Sequence, residues 1–179
     1  MATEWIDVVD TSVKIGLGAL ISGIATYKVS ALNHKKDIEK TIINKKIDIL
    51  EEISENAERY FYFCTSLSNA ISGMQKNAKN IGGDLSDSQR KIISSKHTNM
   101  DEALESRNKA MSKIKILSIP EAENALFEYN TALSDLRNII IFDKKMPSRE
   151  EREAISARFQ CQKDSFYQSI SRYMDEVGT

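Results

Sequence analysis

VKIGLGALISGIATYKVSAL, residues 13–32, is the stretch in which apolar residues crowd together while charge nearly vanishes. Thirteen uncharged residues separate Lys14 from Lys28, about 20 Å of helix against a hydrocarbon layer of roughly 30 Å. Lysines near helix ends can lay their methylene stems along the apolar layer and leave the ammonium at the interface, which extends the usable segment to residues 11–32, a spanning length. Trp5 and Tyr27 then fall about 33 Å apart along the axis, near the separation of two interfacial aromatic anchors, with Asp7 and Asp10 held at headgroup level. The competing reading buries the same residues in a soluble core, where glycines would weaken the helix.

The segment has two faces. Gly18, Ser22 and Thr26, flanked by Ala19, Gly23 and Ala25, recur at three- and four-residue spacing, while Ile15, Leu17, Leu20, Ile21 and Ile24 supply bulk. Small residues at that spacing let two helix backbones approach closely in lipid. The expectation is a lipid-embedded contact face of Gly18, Ser22, Gly23 and Thr26, bracketed by Lys14 and Lys28, and a homo-oligomer.

Orientation follows from the flanks. Glu4, Asp7 and Asp10 precede the segment without any Lys or Arg, and His34, Lys35, Lys36, Lys40, Lys45 and Lys46 follow it. Lysine-rich flanks stay in the cytoplasm, so the N-terminus is expected outside and the rest inside. A cleaved signal peptide is not expected, since a positive n-region and an A-x-A-like site are missing. Neither a myristoylation glycine nor a prenylation box appears.

With 179 residues, 41% hydrophobic and 28% charged, the chain has the composition of one globular domain plus an anchor. A net charge of -1 exerts no global pull on nucleic acid. The lysine cluster after the anchor is the local exception: it reads either as a solvated stalk or as a surface for anionic headgroups. Cys64 and Cys161 lie far apart with no CxxC context, which suits reduced thiols in a cytoplasmic domain, although two cysteines always permit one disulfide.

The fold class expected is all-α, the anchor continuing into a long helix of an antiparallel bundle of about four helices. Between Gly23 and Gly73 there is neither glycine nor proline. From residue 50 the apolar spacing becomes regular: Leu50, Ile53, Ala57, Tyr60, Cys64, Leu67, Ile71, Met74, Ala78 and Ile81 alternate at three and four residues, a heptad seam. Upstream, Ile38, Ile42, Ile43, Ile47 and Ile49 scatter among lysines as in a stalk. The organisation is therefore an anchor at 1–32, a basic stalk at 33–49 and a bundle at 50–179. Tyr60 to Phe63 put aromatics on several faces, marking this helix as the central element.

Ile81-Gly82-Gly83-Asp84 has turn chemistry that ends the first helix near Asn80. Ser86/Gln89, Ser118/Glu121 and Ser148/Glu151 each match the S-x-x-E/Q capping box. They predict helices over 87–117, 119–142 and 149–176. Their stripes are Ile93, Met100, Leu104, Met111 and Ile114; Ala122, Leu126, Tyr129, Leu133, Leu136 and Ile140; and Ile155, Phe159, Phe166, Ile170, Tyr173 and Val177. Four amphipathic helices with short loops imply an antiparallel bundle. Pro120 either opens a tight hairpin or kinks one continuous helix.

No motif for catalysis emerges. His34 and His97 stand apart from one another and from any ligand-spaced partner, and read as surface histidines. Gly82-Gly83 lacks the lysine and strand of a phosphate loop. Glu51, Glu52, Glu55 and Glu58 read as a solvated face, without the E-x-x-H of diiron bundles. Cys64 has no base at a telling spacing, and the lysines of the second helix alternate with acids and lack an aromatic platform for nucleic acid.

The sequence thus points to a non-enzymatic, single-pass membrane protein without cofactor or metal. Its cytoplasmic bundle self-associates or binds a protein partner, and no nucleic acid. Two alternatives stay open. One is an oligomeric membrane-permeabilising or channel-like effector lined by Thr11, Lys14, Ser22 and Thr26; the other is a soluble all-α adaptor with residues 13–32 in its core.

Overall fold

The computed structural model describes residues 2–76 and 83–178, and for residues 2–4, 6–9, 11–13, 15–16, 18–19, 21 and 178 the backbone only. Every element among the described residues is helical: α1 (Ala2–Lys76), α2 (Asp87–His97), α3 (Met100–Leu117), α4 (Pro120–Arg137), a π-helical turn (Asn138–Phe142) and α5 (Arg149–Gly178). The chain divides into two compact units, Met1–Lys45 and Lys46–Thr179. The expected ends at Ala78, Asn80 and Ile81 lie outside the described residues.

In the first unit, Leu17, Leu20, Ile24, Tyr27, Val29, Leu32, Ile38, Ile42 and Ile43 are all exposed. Among the described residues no helix is long and apolar enough to cross a membrane. Much of the apolar content of 13–32, and the side of the helix at Gly18, lies outside the described side chains.

The second unit is an antiparallel bundle. Glu58, Ser72 and Gln75 on α1 meet Lys163, Arg152 and the carbonyl of Pro147 respectively, so the numbering rises along α1 as it falls along α5. The ion pair of Lys113 with Glu52 sets α3 against α1, and that of Lys115 with Glu123, 3.4 Å, closes the α3–α4 hairpin. The whole described seam, Leu50, Ile53, Ala57, Tyr60, Cys64, Leu67, Ile71 and Met74, is buried. It packs into one core with the stripe from Ala122 to Leu136 of α4, with Ile140 of the π-helical turn and with Ile155, Phe159, Phe166 and Ile170 of α5.

The second predicted helix is broken. α2 stops at His97 and α3 starts at Met100 because Ser94, Ser95, Thr98 and Asn99 favour side-chain bonding over helix continuation. Thr98 donates to the Ser94 carbonyl (3.1 Å), and Asn99 (φ -91°, ψ 15°) leaves the helical region.

Two capping boxes form as expected. Gln89 N–H donates to Ser86 Oγ and Ser86 N–H to Gln89 Oε1; Ser148 and Glu151 make the same pair at 3.1 and 2.7 Å. Ser118 does not cap α4. It ends α3 in the left-handed conformation (φ 56°), its N–H donating to the carbonyls of Ile114 and Lys115. Pro120 takes the first turn of α4, where the missing N–H costs nothing, so it opens a hairpin. Competition decides the outcome: a serine that must terminate one helix by a positive φ cannot also present the extended backbone of an N-cap.

The third predicted helix also changes character at its end. At Asn138–Phe142 the backbone widens, Asp143 N–H donating to the Asn138 carbonyl at 2.9 Å, which buries Ile140 and packs Ile139 and Ile141 partly against the core. The connections at this end are tied together. Leu85 N–H donates to Lys144 O and Met146 N–H to Gly83 O, each at 2.9 Å.

Two substitutions separate the caps. Ser148→Ala is expected to lower stability by about 1 kcal/mol. Ser118→Gly is expected to raise it by up to roughly 1 kcal/mol by relieving the left-handed serine. Denaturant unfolding of both variants checks the pair, and a loss at Ser118→Gly would restore the N-cap reading.

Candidate association surface

The run Tyr60-Phe61-Tyr62-Phe63 divides its side chains among three environments, because successive helical residues turn about 100°. Tyr60, Phe61 and Phe63 are buried, whereas Tyr62 is 75% exposed.

On the buried side lies an aromatic cluster. Phe61 stacks obliquely on Tyr129 (4.5 Å between centroids), Tyr129 on Phe159 (4.6 Å), and Phe166 meets Phe61 edge-on (5.5 Å, 84°). Such pairs add to simple area burial. Tyr60 Oη donates to Asn130 Oδ1 at 2.8 Å, so its polar end is satisfied within the core. Burial pushes the Tyr60, Tyr129 and Cys64 hydrogens towards retention, raising all three above their ordinary values. Cys64 is a fully buried thiol, kept protonated by burial although Tyr60 opposes the shift, and so lacks the thiolate that a nucleophile requires. Cys161 is a free, exposed thiol.

At the edge of the cluster, Lys163 Nζ sits 5.4 Å from the Phe61 ring centroid and 5.8 Å from that of Tyr167. It donates to Glu58 (2.9 Å), which also accepts from Tyr167 Oη (2.5 Å). Burial works to raise the Glu58 carboxyl, but the two hydrogen bonds and the lysine charge together hold it below its usual range. This constellation ties α1 to α5; its cation and anion already satisfy one another.

The other side of α1 is open. A groove of about 550 Å³ runs between Arg59, Tyr62, Phe63 and Ser66 of α1 and the α2–α3 break, where Ser95, Lys96, Asn99, Glu102, Ala103, Ser106 and Lys109 form the opposite wall. A second hollow of about 380 Å³ continues it past Asn69 and Ala70. Positions 59, 62, 63, 66, 69 and 70 are one helical face at three- and four-residue spacing; the opposite wall joins Ser95 and Lys96 of α2 to Asn99, Glu102, Ala103 and Ser106 at the start of α3. Small side chains at Ser66, Ala70, Ser95, Ala103 and Ser106 alternate with long charged ones, and Tyr62 forms an aromatic ridge on the α1 wall. Arg59 is paired with Glu55 and Lys109 with Glu105, each at 2.6 Å. The groove is thus nearly charge-balanced.

His97, expected at the surface, is half-buried with Nε2 shielded and unpaired among the described residues. Burial first, and then the Arg137 guanidinium, push its imidazole below the ordinary value, Asp101 opposing them. Among the described residues no three His, Cys, Asp or Glu side chains converge as a metal site would need. The sequence reading missed the groove because it needs the helix break at Thr98–Asn99; the one sequence signal was Tyr62, an aromatic off the seam.

Compared with family models, characterised proteins and solved structures, the chain matches none.

Two measurements follow from this geometry. Tyr62→Ala is expected to change stability by no more than about 0.5 kcal/mol, and Phe61→Ala to cost roughly 3–5 kcal/mol; equal losses in denaturant titrations would remove Tyr62 from the open surface. Because the folded state disfavours protonated His97, unfolded chains bind the extra proton. Stability should fall as pH drops below the unfolded histidine value of about 6.5. His97→Asn should abolish that part of the decline in unfolding curves recorded between neutral and mildly acid pH.

Proposed function

We propose that the protein is a membrane-anchored, non-enzymatic helical bundle. Residues 11–32 of α1 span the bilayer once with the N-terminus outside, and the bundle docks a protein segment at the cytoplasmic face. The observation that carries the anchor is the exposure of Leu17, Leu20, Ile24, Val29 and Leu32. Stepping about 100° per residue, these side chains spread over roughly half the helix circumference. A seam for one packing partner would occupy a narrower stripe.

Each such side chain forgoes roughly 1.5–3 kcal/mol while it faces water. Lipid supplies the apolar environment on every azimuth at once, which favours the bilayer over burial in this chain's own core. Self-association through Gly18, Ser22, Gly23 and Thr26 belongs to the same reading. A Cβ added at Gly23 would meet nothing within 4 Å, so the chain itself makes no demand for glycine at a position where it costs about 1 kcal/mol of helix stability. A neighbouring helix in lipid would make that demand.

For the bundle, the Tyr62 groove offers an aromatic, nearly neutral surface between α1 and the α2–α3 break, and Tyr is a residue type that dominates association energetics.

Leu20→Lys combined with Ile24→Lys tests the anchor, since each centrally placed lysine costs about 2.5–3.5 kcal/mol of insertion. The parent chain is expected in the carbonate-resistant membrane fraction and the double variant in the soluble one. Recovery of the unsubstituted chain as a soluble protein would end the anchor reading and leave a water-soluble adaptor.

A further inference from the structure

In the unit Met1–Lys45, the lysines that would orient the anchor also form an exposed charged group. Lys35, Lys36 and Lys40 are exposed on α1, just beyond the apolar segment. Only Lys35 has an acidic partner, Glu39 at 3.9 Å; Lys36 and Lys40 form no ion pair among the described residues. We propose that these three lysines form a collar that binds anionic phospholipid headgroups where α1 leaves the bilayer. The inference rests on the anchor proposed above and names the lipid class that the anchor would recruit.

Three observations favour this occupant. The first is azimuth: taking Lys35 as origin and about 100° per residue, Lys36 lies near 100° and Lys40 near 140°, while His34 lies near 260°. A helix lying flat on a membrane would gather its lysines on one face and its apolar residues on the other. Here Ile38 and Ile42, both exposed, fall near 300° and 340° and Ile43 near 80°, interleaved with the cations. The lysines thus share one arc of about 140°, with Ile43 among them and Ile38 and Ile42 beside it, so they present one charged side to the headgroup plane without the clean polar face of a helix lying flat.

The second is depth. From Leu32, Lys35 is about 5 Å along the axis and Lys40 about 12 Å, within or near the screening length of roughly 8–10 Å, while Lys45 and Lys46 at about 20 Å lie beyond it. The collar therefore ends at Lys40; of the later lysines, Lys45 is exposed and Lys46 is half-buried.

The third is the alternative occupant. In the parallel self-association that the anchor reading includes, Lys35 would face Lys35 and Lys36 would face Lys36, so a second copy adds like charge at this level and does not neutralise it. Anionic lipid supplies the opposite charge.

The test uses the full chain in bilayer nanodiscs made of phosphatidylcholine alone, or of phosphatidylcholine mixed with phosphatidylglycerol. Lysines are labelled with an amine-reactive reagent and quantified by peptide mass spectrometry, at low and at high salt. In the anionic discs at low salt, Lys35, Lys36 and Lys40 are expected to label roughly fivefold more slowly than in neutral discs, with the difference erased by high salt. Lys45 and Lys46 are expected to label equally in both. Equal labelling of the collar in the two lipids, or equal protection of Lys45 and Lys46, overturns the collar while leaving the anchor standing. Release of the chain from both kinds of disc by alkaline carbonate overturns the anchor and the collar with it.

Discussion

The bundle depends on one packing event, the burial of the α1 seam against the aromatic faces of α4 and α5. Phe61, Tyr129, Phe159 and Phe166 interlock with centroids 4.5–5.5 Å apart, and Leu67 and Ile71 extend the same contact with no exposed surface. Aromatic rings bury large areas, and their edge-to-face preferences fix rotation as well as distance. Once Phe61 is seated, the azimuth of α1 is set. Tyr60 is then directed at Asn130, Glu58 at Lys163 and Tyr167, and Tyr62 away from the core. The open groove is thus a by-product of the register that closes the core.

That register was readable because it is periodic. Eight seam residues at three- and four-residue spacing leave little freedom in which face of α1 turns inward, and the stripe from Ala122 of α4 to Ile140 of the π-helical turn is as regular. Two of the three caps were equally legible, since Ser86 and Ser148 have no other duty. Ser118 has one: it must end α3, and a local motif does not reveal which of two adjacent helices a serine will serve. The helix break at Thr98–Asn99 escaped for a related reason. Residues of weak helix preference can be overridden by packing or can prevail, and in a stripe as sparse as Ile93, Met100, Leu104 and Ile114 packing exerts little force against them.

The π-helical turn shows the opposite balance. Asn138-Ile139-Ile140-Ile141-Phe142 presents four large apolar residues in succession, more than one face of an α-helix can hide. Widening the turn buries Ile140 and shelters Ile139 and Ile141 while Phe142 stays outside. The widened turn leads into the loop that Leu85 and Met146 clasp to the start of α2. Because Gln75 donates to the Pro147 carbonyl (2.7 Å) and Arg152 to Ser72 (3.0 Å), the end of α1, the start of α2 and the loop into α5 converge at one end of the bundle.

The two units differ in what their apolar residues do, and lysine placement accounts for the difference. Within α1 the regular seam starts at Leu50; upstream, Lys46 stands where the alternation would next require an apolar residue, and Glu39 and Lys36 do so again a few turns earlier. A lysine stem can cover apolar surface but its ammonium must reach water or an anion. A core therefore stops growing where such residues enter its stripe, however helical the chain remains. The leucines and isoleucines beyond that point stay exposed. Their number and their spread around the axis are the physical reason to look for an environment, and not merely a partner, that would cover them.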